Sequence, residues 1–320
     1  FSHWPAADLA ELISEISEEE QPIIFRLLPK DLSALTFEHL NVDVQKNLLT
    51  SLGRPDVAEI LNDMSPDDRT ALLEELPGRF LSQMLALLSR EERDIAKTLL
   101  GYPENSVGRL MTPDYIAVTK DMTINQVLAH IRKFGHESET LDTVYVVDEK
   151  GHLIDDVKIR QILLAPPNRK MRTLLDNTFL SLAPLDDQEK AVHIFKKYDM
   201  YALPVVDSEG ILLGIVTLDD VLDVEEEEVT EDIQKMGGME ALEEPYLREP
   251  LLCFTRKRAG WLVVLFLGEM LTATAMSYFE NEIARAVVLA MFLPLIISSG
   301  GNSGSQASTL VIRAMAIGEI

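Results

Sequence analysis

Apolar positions recur along this chain with several periods, and each period predicts a different kind of structure. Up to about residue 105 they return every three or four positions, in Ala7–Ile16, Val44–Leu52, Val57–Met64 and Asp68–Leu76. That spacing builds one apolar face on a helix. Breakers interrupt it at Leu28-Pro29, Gly53-Arg54-Pro55, Ser65-Pro66-Asp67, Leu76-Pro77-Gly78 and Ser89-Arg90. Ser65 before Pro66 and two acids predicts an N-cap with proline in the first helical position. Residues 1–105 therefore read as an acidic array of short helices, a superhelix of paired helices. No catalytic constellation stands in it, so its role reads as scaffold or lever, with most acids on a solvated face.

From 106 to 224 the pattern changes to short β-branched runs, and two segments resemble each other. The first has Tyr115-Ile116-Ala117-Val118, a helix Thr123–Phe134, Thr143–Asp148 and Gly151-His152-Leu153. The second has Leu180-Ser181-Leu182, a helix Asp187–Tyr198, Ala202–Asp207, Gly210–Thr217 and a helix from Asp219. Each reads strand, helix, strand, turn, strand, helix, with Asp148–Gly151 and Asp207–Gly210 as the turns. The duplication, and the run YALPVVDSEGILLGIVTLDDVL at Tyr201–Leu222, resemble a pair of CBS domains. That resemblance implies an adenosine-nucleotide signature at Gly214, Thr217 and Asp220. In the first repeat Ile154-Asp155-Asp156-Val157 stands where Gly-Val-Val is expected, so its nucleotide half looks degraded.

Residues 225–250 begin with an acidic run in which Glu225, Glu228, Glu231 and Asp232 fall close to one helical face. Like charges at that spacing cost a few tenths of a kcal/mol per pair. The run reads either as a solvated linker helix or as a functional stripe. Residues 251–320 change again. Gly260–Phe279 is apolar and long enough to span a bilayer, with Trp261 and Tyr278 at the two interfaces. Arg256-Lys257-Arg258 before it places that end in the cytoplasm. Glu269 lies near mid-span, where a carboxylate is either functional or kept protonated or bonded between helices. A polar hairpin at Glu280–Arg285 and a second apolar run, Ala286–Ser299, follow. Pro294 is a candidate kink. Then comes Gly300–Ser308, whose small and amide-bearing residues suit close helix packing beside a hydrated-cation path.

Charge sharpens this division. The 320 residues carry 53 acids and 29 bases, a net charge of −24; only four acids and five bases fall in 251–320. An acidic, water-facing body thus joins a near-neutral apolar tail. Nucleic acid is excluded as a partner for want of a basic face. The hydrophobic content of 47% excludes a disordered acidic chain. One cysteine, Cys253, excludes a disulfide scaffold, and the six histidines lack ligand spacing. An enzyme is not expected: there is no nucleophile–base pair, glycine-rich phosphate loop or metal–histidine cluster. Phe1 and the apolar end at Ile320 lead us to expect a fragment of a longer product.

The order of parts, with MTPDY, LPVVDSEG, GIVTLDDVLDV, TEDIQK and GGNSGSQASTLVIRA, resembles the MgtE family of magnesium channels over nearly the whole chain. The resemblance implies a multidomain membrane protein. Its parts would be an all-α superhelical N domain (1–105), an α/β CBS pair (106–224), a long acidic connecting or plug helix (225–250) and α-helical spans (251–320), the first two of five. It implies a homodimer, joined through the CBS and membrane domains, in the bilayer of the cell membrane, multi-pass, with its N-terminal domains cytoplasmic. Magnesium is the implied cargo and regulator: bound between acidic faces it holds the pore closed, and ATP tunes the response. Carried over residue by residue, the regulatory metal positions fall on Asp67, Asp187, Glu189, Asp199, Asp220, Asp223, Glu228, Glu231 and Asp232. Two further positions fall on Leu35 and Ala71, which carry no ligand; Asp63, Asp68 or Glu38 nearby are the substitutes in view. Pore residues are offered at Pro294, Gly300, Gly301, Asn302, Gly304 and Gln306. The alternatives are a CBS-coupled ion transporter or membrane-anchored sensor gated mainly by adenine nucleotide.

Overall fold

The computed structural model describes residues 4–236, 251–285, 288 and 291–316. It divides into two compact units, residues 1–224 and 225–320.

The first unit opens with eight helices: α1 (Ala6–Glu15), α2 (Gln21–Phe25), α3 (Lys30–Glu38), α4 (Val42–Ser51), α5 (Arg54–Asp63), α6 (Pro66–Glu74), α7 (Gly78–Leu87) and α8 (Arg90–Leu99). Each packs on the next but one: α1 on α3, α3 on α5, α5 on α7, α2 on α4, α6 on α8. The periodic leucines meet between the rows, with Leu9, Ile13, Phe37, Leu48, Leu61 and Leu73 fully buried. The breakers set the starts: Pro29, Gly53, Ser65, Pro77 and Ser89 each stand at an N-cap. Ser89 caps as expected, accepting from the Glu92 N–H at 3.2 Å. Ser65 does not: its hydroxyl donates to Asp68 Oδ2 at 2.8 Å, because the carboxylate is the stronger acceptor within reach. Its own N–H donates to Glu38 Oε1 at 2.8 Å.

Arg69 holds the end of this array together. Its side chain is completely buried and donates to the carbonyls of Leu61 and Met64 and to the Glu92 carboxylate, tying α5, α6 and α8.

After α9 (Val107–Leu110) the repeats follow. The first is β1 (Ala117–Thr119), α10 (Ile124–Phe134), β2 (Thr143–Val147), β3 (Leu153–Lys158) and α11 (Ile159–Leu164). The second is α12 (Gln188–Tyr198), β4 (Ala202–Val206), β5 (Leu212–Thr217) and α13 (Leu218–Met236). In the first, β1 pairs parallel and β3 antiparallel with β2; in the second, β4 and β5 pair antiparallel. The turns are near copies. Asp148 Oδ1 accepts from Lys150 and His152 N–H, Asp207 Oδ1 from Glu209 and Ile211 N–H, and Gly151 and Gly210 take φ of +88° and +85°.

The expected strand at Leu180–Leu182 does not form. Leu182 makes a single parallel bridge to Val205. Beyond it the Ala183 N–H turns to the Asp186 carboxylate, and Pro184 has no N–H to extend a ladder. Thr112 takes an edge position instead, bridging Ile215 on β5 of the other repeat, with N···O distances of 2.8 and 2.9 Å. Gly214 permits that approach: a Cβ there would lie 2.7 Å from the Thr112 carbonyl oxygen.

The helix α13 runs without a break past residue 224, and residues 237–250 of the expected connecting segment lie outside those described. The second unit contains α14 (Leu251–Tyr278), α15 (Glu280–Arg285) and α16 (Leu293–Ala316). Among the described residues one helix, α14, is long and apolar enough to cross a membrane, with mean hydropathy 1.6 in its 18-residue core. Arg256–Arg258 lies inside α14, continuous with the apolar span. Two local expectations change here. Glu280–Arg285 is a helical turn with an Arg285–Glu282 ion pair of 3.0 Å. Gly300–Ser308 is helical within α16, and Pro294, its second residue, starts that helix where a missing N–H costs nothing, so it makes no kink.

Arg69→Met should lower the stability of the helical array by about 3 kcal/mol, because Glu92 and two buried carbonyls lose their donor; calorimetric unfolding of the purified protein measures it. Gly214→Ala should cost about 1–3 kcal/mol by forcing Thr112 away from β5, read in the same way.

Candidate metal-responsive seam

The helical array meets the CBS pair along a band of carboxyl groups. Asp67 and Asp68 occupy the first turn of α6, at the end of the chain's route through Ser65 and Pro66. Asp67 is buried, and its Oδ1 accepts from the Asp68 N–H at 3.0 Å. Burial, aided by the charge of Asp68, pushes its carboxyl up to about 7. Glu38, the last residue of α3, is also pushed up to about 7 by burial, with Asp68 and Asp67 adding to the shift. Burial and the charge of Asp219 raise Asp68.

From the other side come Asp219 and Asp220, in the first turn of α13. Asp220 is raised well above the ordinary carboxylate range, first by burial and then by the charge of Asp67. Thr217 Oγ1 touches both carboxylates, lying 2.7 Å from Asp220 Oδ2 and closer still to Asp219. Glu139, between α10 and β2, completes the band: burial pushes it up to about 8, with Asp67, Asp219, Asp68 and Glu38 contributing.

The common cause is that five of these carboxyls, Glu38, Asp67, Asp68, Glu139 and Asp220, lose water and feel one another's charge and that of Asp219, which penalises the charged forms. The nearest guanidinium offers partial relief. Arg69 lowers Glu38, yet its hydrogen bonds go to Glu92 and to backbone carbonyls. Such a band fits a hard divalent cation, which takes oxygen ligands and keeps part of its water. It is not a preformed cage: among the described residues no three acid, histidine or cysteine side chains are grouped closely enough to hold an ion.

The other sequence-derived positions fall elsewhere. Asp187 is the N-cap of α12, accepting from Glu189 N–H at 2.9 Å, and Asp199 is its C-cap in the left-handed conformation, φ 50°. Asp223, Glu228, Glu231 and Asp232 lie along α13, where Glu231 pairs with Lys235 at 2.6 Å. Leu35 and Ala71 are exposed. Of the substitutes considered, Glu38 and Asp68 join the band, whereas Asp63 ends α5, with its charge acting on Lys30. Glu139 and Asp219 were not anticipated. Asp219 had a signal, an adjacent acid at a helix start; Glu139, in a polar loop, had none.

The residues of the expected nucleotide signature make the following contacts. Thr217 and Asp220 are engaged in the band, and Gly214 serves the Thr112 contact. A cavity of about 320 Å³ does occur in the CBS pair, but Asp156 and Lys158 of the first repeat line it, with Thr178 and Met200.

A model of the MgtE intracellular N domain matches residues 4–105, and the CBS domain matches twice, over 107–168 and 172–227. The chain is 36% identical over 313 residues to the magnesium transporter MgtE of Thermus thermophilus, covering 97% of this chain and 69% of that protein. It is 28% identical to the Bacillus subtilis protein of the same name, with 96% and 70% covered. The chain belongs to the MgtE family. The cytosolic domain of the Mg²⁺ channel MgtE, solved in complex with ATP, superposes with a TM-score of 0.66 at 35% identity, covering 70% of this chain and 91% of that one. The soluble part of a magnesium transporter gives 0.54 at 25% identity. The named MgtE relatives are transporters rather than enzymes.

A carboxyl raised in the docked arrangement binds its proton more tightly there than when free. Stability from that source is present at low pH and fades as pH rises through about 7 to 8. In chelator, the thermal midpoint of this MgtE chain should therefore fall between pH 6 and pH 9. Glu139→Gln should flatten the fall, and millimolar magnesium should do the same in the native chain.

Proposed function

We propose that this chain carries the regulatory part and the first membrane helices of a dimeric magnesium pore in the cell membrane, with its N-terminal domains in the cytoplasm. The observation that carries the reading is the pair Asp67, buried, and Asp220, half-buried, each raised in part by its neighbours' charge, and contributed by the helical array and the CBS exit. Without cation, the facing carboxylates push the two parts away from each other. A single pair at ~10 Å in water costs about 0.4 kcal/mol, and burial and number increase it. Magnesium between them removes that repulsion and favours the docked state, a population shift set by differential ion affinity. Glu38, Asp68 and Glu139 supply the charge that Leu35 and Ala71 lack.

The acids of α13, from Asp223 through Glu228, Glu231 and Asp232, extend the same response toward the membrane helices, and Asp187, Glu189 and Asp199 are further candidates. The α16 glycines support a packed pore helix. Each costs about 1 kcal/mol in a helix interior, and a Cβ at Gly300, Gly301 or Gly304 would meet nothing within 4 Å. Close approach by another helix offsets that cost. Pro294, Asn302 and Gln306 lie on the same helix. Regulation by an adenine nucleotide is a second reading, favoured by the ATP complex of the similar cytosolic domain and by the CBS cavity.

Limited proteolysis across a magnesium titration tests the proposal. Cleavage around residues 224–235 should be suppressed at millimolar magnesium, and Asp67→Asn with Asp220→Asn should abolish that dependence. Cleavage that ignores magnesium and responds to ATP would instead support the nucleotide reading. Growth of a magnesium-uptake-deficient cell on limiting magnesium, restored by the gene that carries this sequence, tests transport.

A further inference from the structure

The carboxyl band holds one end of α6, and an ion pair holds the other. Glu74, the last residue of α6, meets Arg109 of α9, Nη1 to Oε2 at 2.8 Å, and both side chains are half-buried. Asp67 and Glu74 stand at opposite ends of this helix, separated by about 10 Å along its axis. One end of α6 thus faces like charge and the other an opposite charge.

The two partners belong to different bodies. The Val107 and Gly108 N–H groups of α9 donate to the carbonyls of Asp186 and Pro184, both at 2.9 Å, and Gln188 N–H donates to the Asn105 carbonyl at 3.0 Å. Val107 is completely buried in the core of the second repeat, with Phe195, Leu203 and Val205. Arg109 is held there too, because its Nε donates to the Tyr102 carbonyl at 2.8 Å. The Tyr102 ring in turn lies on Gly108, where a Cβ would come within 2.4 Å of it. Glu74, by contrast, belongs to the array, since Arg69 ties α6 to α5 and α8. Burial raises the Glu74 carboxyl, Arg109 opposes the rise, and Glu104 and Glu75 add to it. Without the guanidinium, docking would bring a second set of crowded acids out of water with no counter-charge.

We propose that the Arg109–Glu74 pair is a latch that forms when the helical array docks on the CBS pair, and that it sets the magnesium concentration at which docking occurs. This rests on the magnesium response proposed above and names residues that tune its threshold. Docking free energy supplied by the latch does not have to come from bound cation, so a stronger latch closes the seam at lower magnesium. Arg109 is already fixed by the Tyr102 carbonyl, so pairing costs it little side-chain freedom.

Protection of residues 224–235 from proteolysis, followed across a magnesium titration of the purified chain, reads that threshold. Arg109→Met should raise the midpoint about three- to tenfold, because a half-buried carboxylate then docks unpaired. Glu74→Gln should raise it less, since no charge is left unpaired on α6, and Arg109→Lys should lie nearest the native chain. Adding Glu74→Gln to Arg109→Met should recover part of the shift. A merely structural role predicts something different: a lower thermal midpoint at every magnesium concentration, with the threshold unmoved. Glu74→Gln carries the test if Arg109→Met fails to fold. A threshold unchanged or lowered in the folded variants would overturn the latch and leave the magnesium response standing. No magnesium-dependent protection in the native chain would overturn the response, and the latch with it.

Discussion

Repulsion among crowded carboxyls is the constraint around which the first 224 residues are organised. Glu38, Asp67, Asp68, Glu139, Asp219 and Asp220 come from four separate stretches of chain, and each of the five whose shift is resolved rises above the ordinary range. Folding alone does not require this. A lysine at one of these positions would relieve it, and Arg69, buried close by, is committed to Glu92 and two helix-end carbonyls. An arrangement that withholds its own counter-charge depends on protons or a cation from solution. In the function proposed above, that dependence makes the contact between array and CBS pair a response to solution conditions rather than a permanent joint.

Much of the architecture was legible in the sequence because it rests on local physics. Proline, glycine and serine punctuate the short helices of the array, and all five breaker sites became helix starts. The repeated Asp-x-x-Gly tetrads fold alike because a carboxylate two residues before a backbone N–H makes the same turn twice. The misses were non-local or competitive. Leu180–Leu182 has strand-like residues, but Pro184 and Asp186 take over the backbone beyond it. Ser65 has a cap sequence, but its hydroxyl donates to Asp68 instead of accepting from the backbone.

The seam was half legible for a related reason. Asp67 and Asp220 lie in recognisable motifs, so resemblance locates them. Glu139 belongs to a polar loop that nothing marks, and its role depends on where the α10–β2 connection places it against α6 and α13. The glycine–threonine–aspartate signature is ambiguous because its residue types suit two tasks. Hydroxyl and carboxylate can hold a ribose or face a cation, and only the neighbours decide. Here the neighbour of Asp220 is Asp67, and the neighbour of Gly214 is the Thr112 carbonyl.

The two repeats thus treat negative charge in opposite ways. At the second, acids accumulate without an internal cation, and the deficit must be met from outside. At the first, a potential anion site is filled internally by Asp155, with each of its oxygens bonded to backbone N–H groups. A charge balanced within the fold is insensitive to the ionic composition of the solution, while an unbalanced one reports it. Duplication supplied two similar units, and the residues that differ, Ile154-Asp155-Asp156-Val157 in one and the Asp219-Asp220 pair in the other, make one a closed turn and the other an open electrostatic contact.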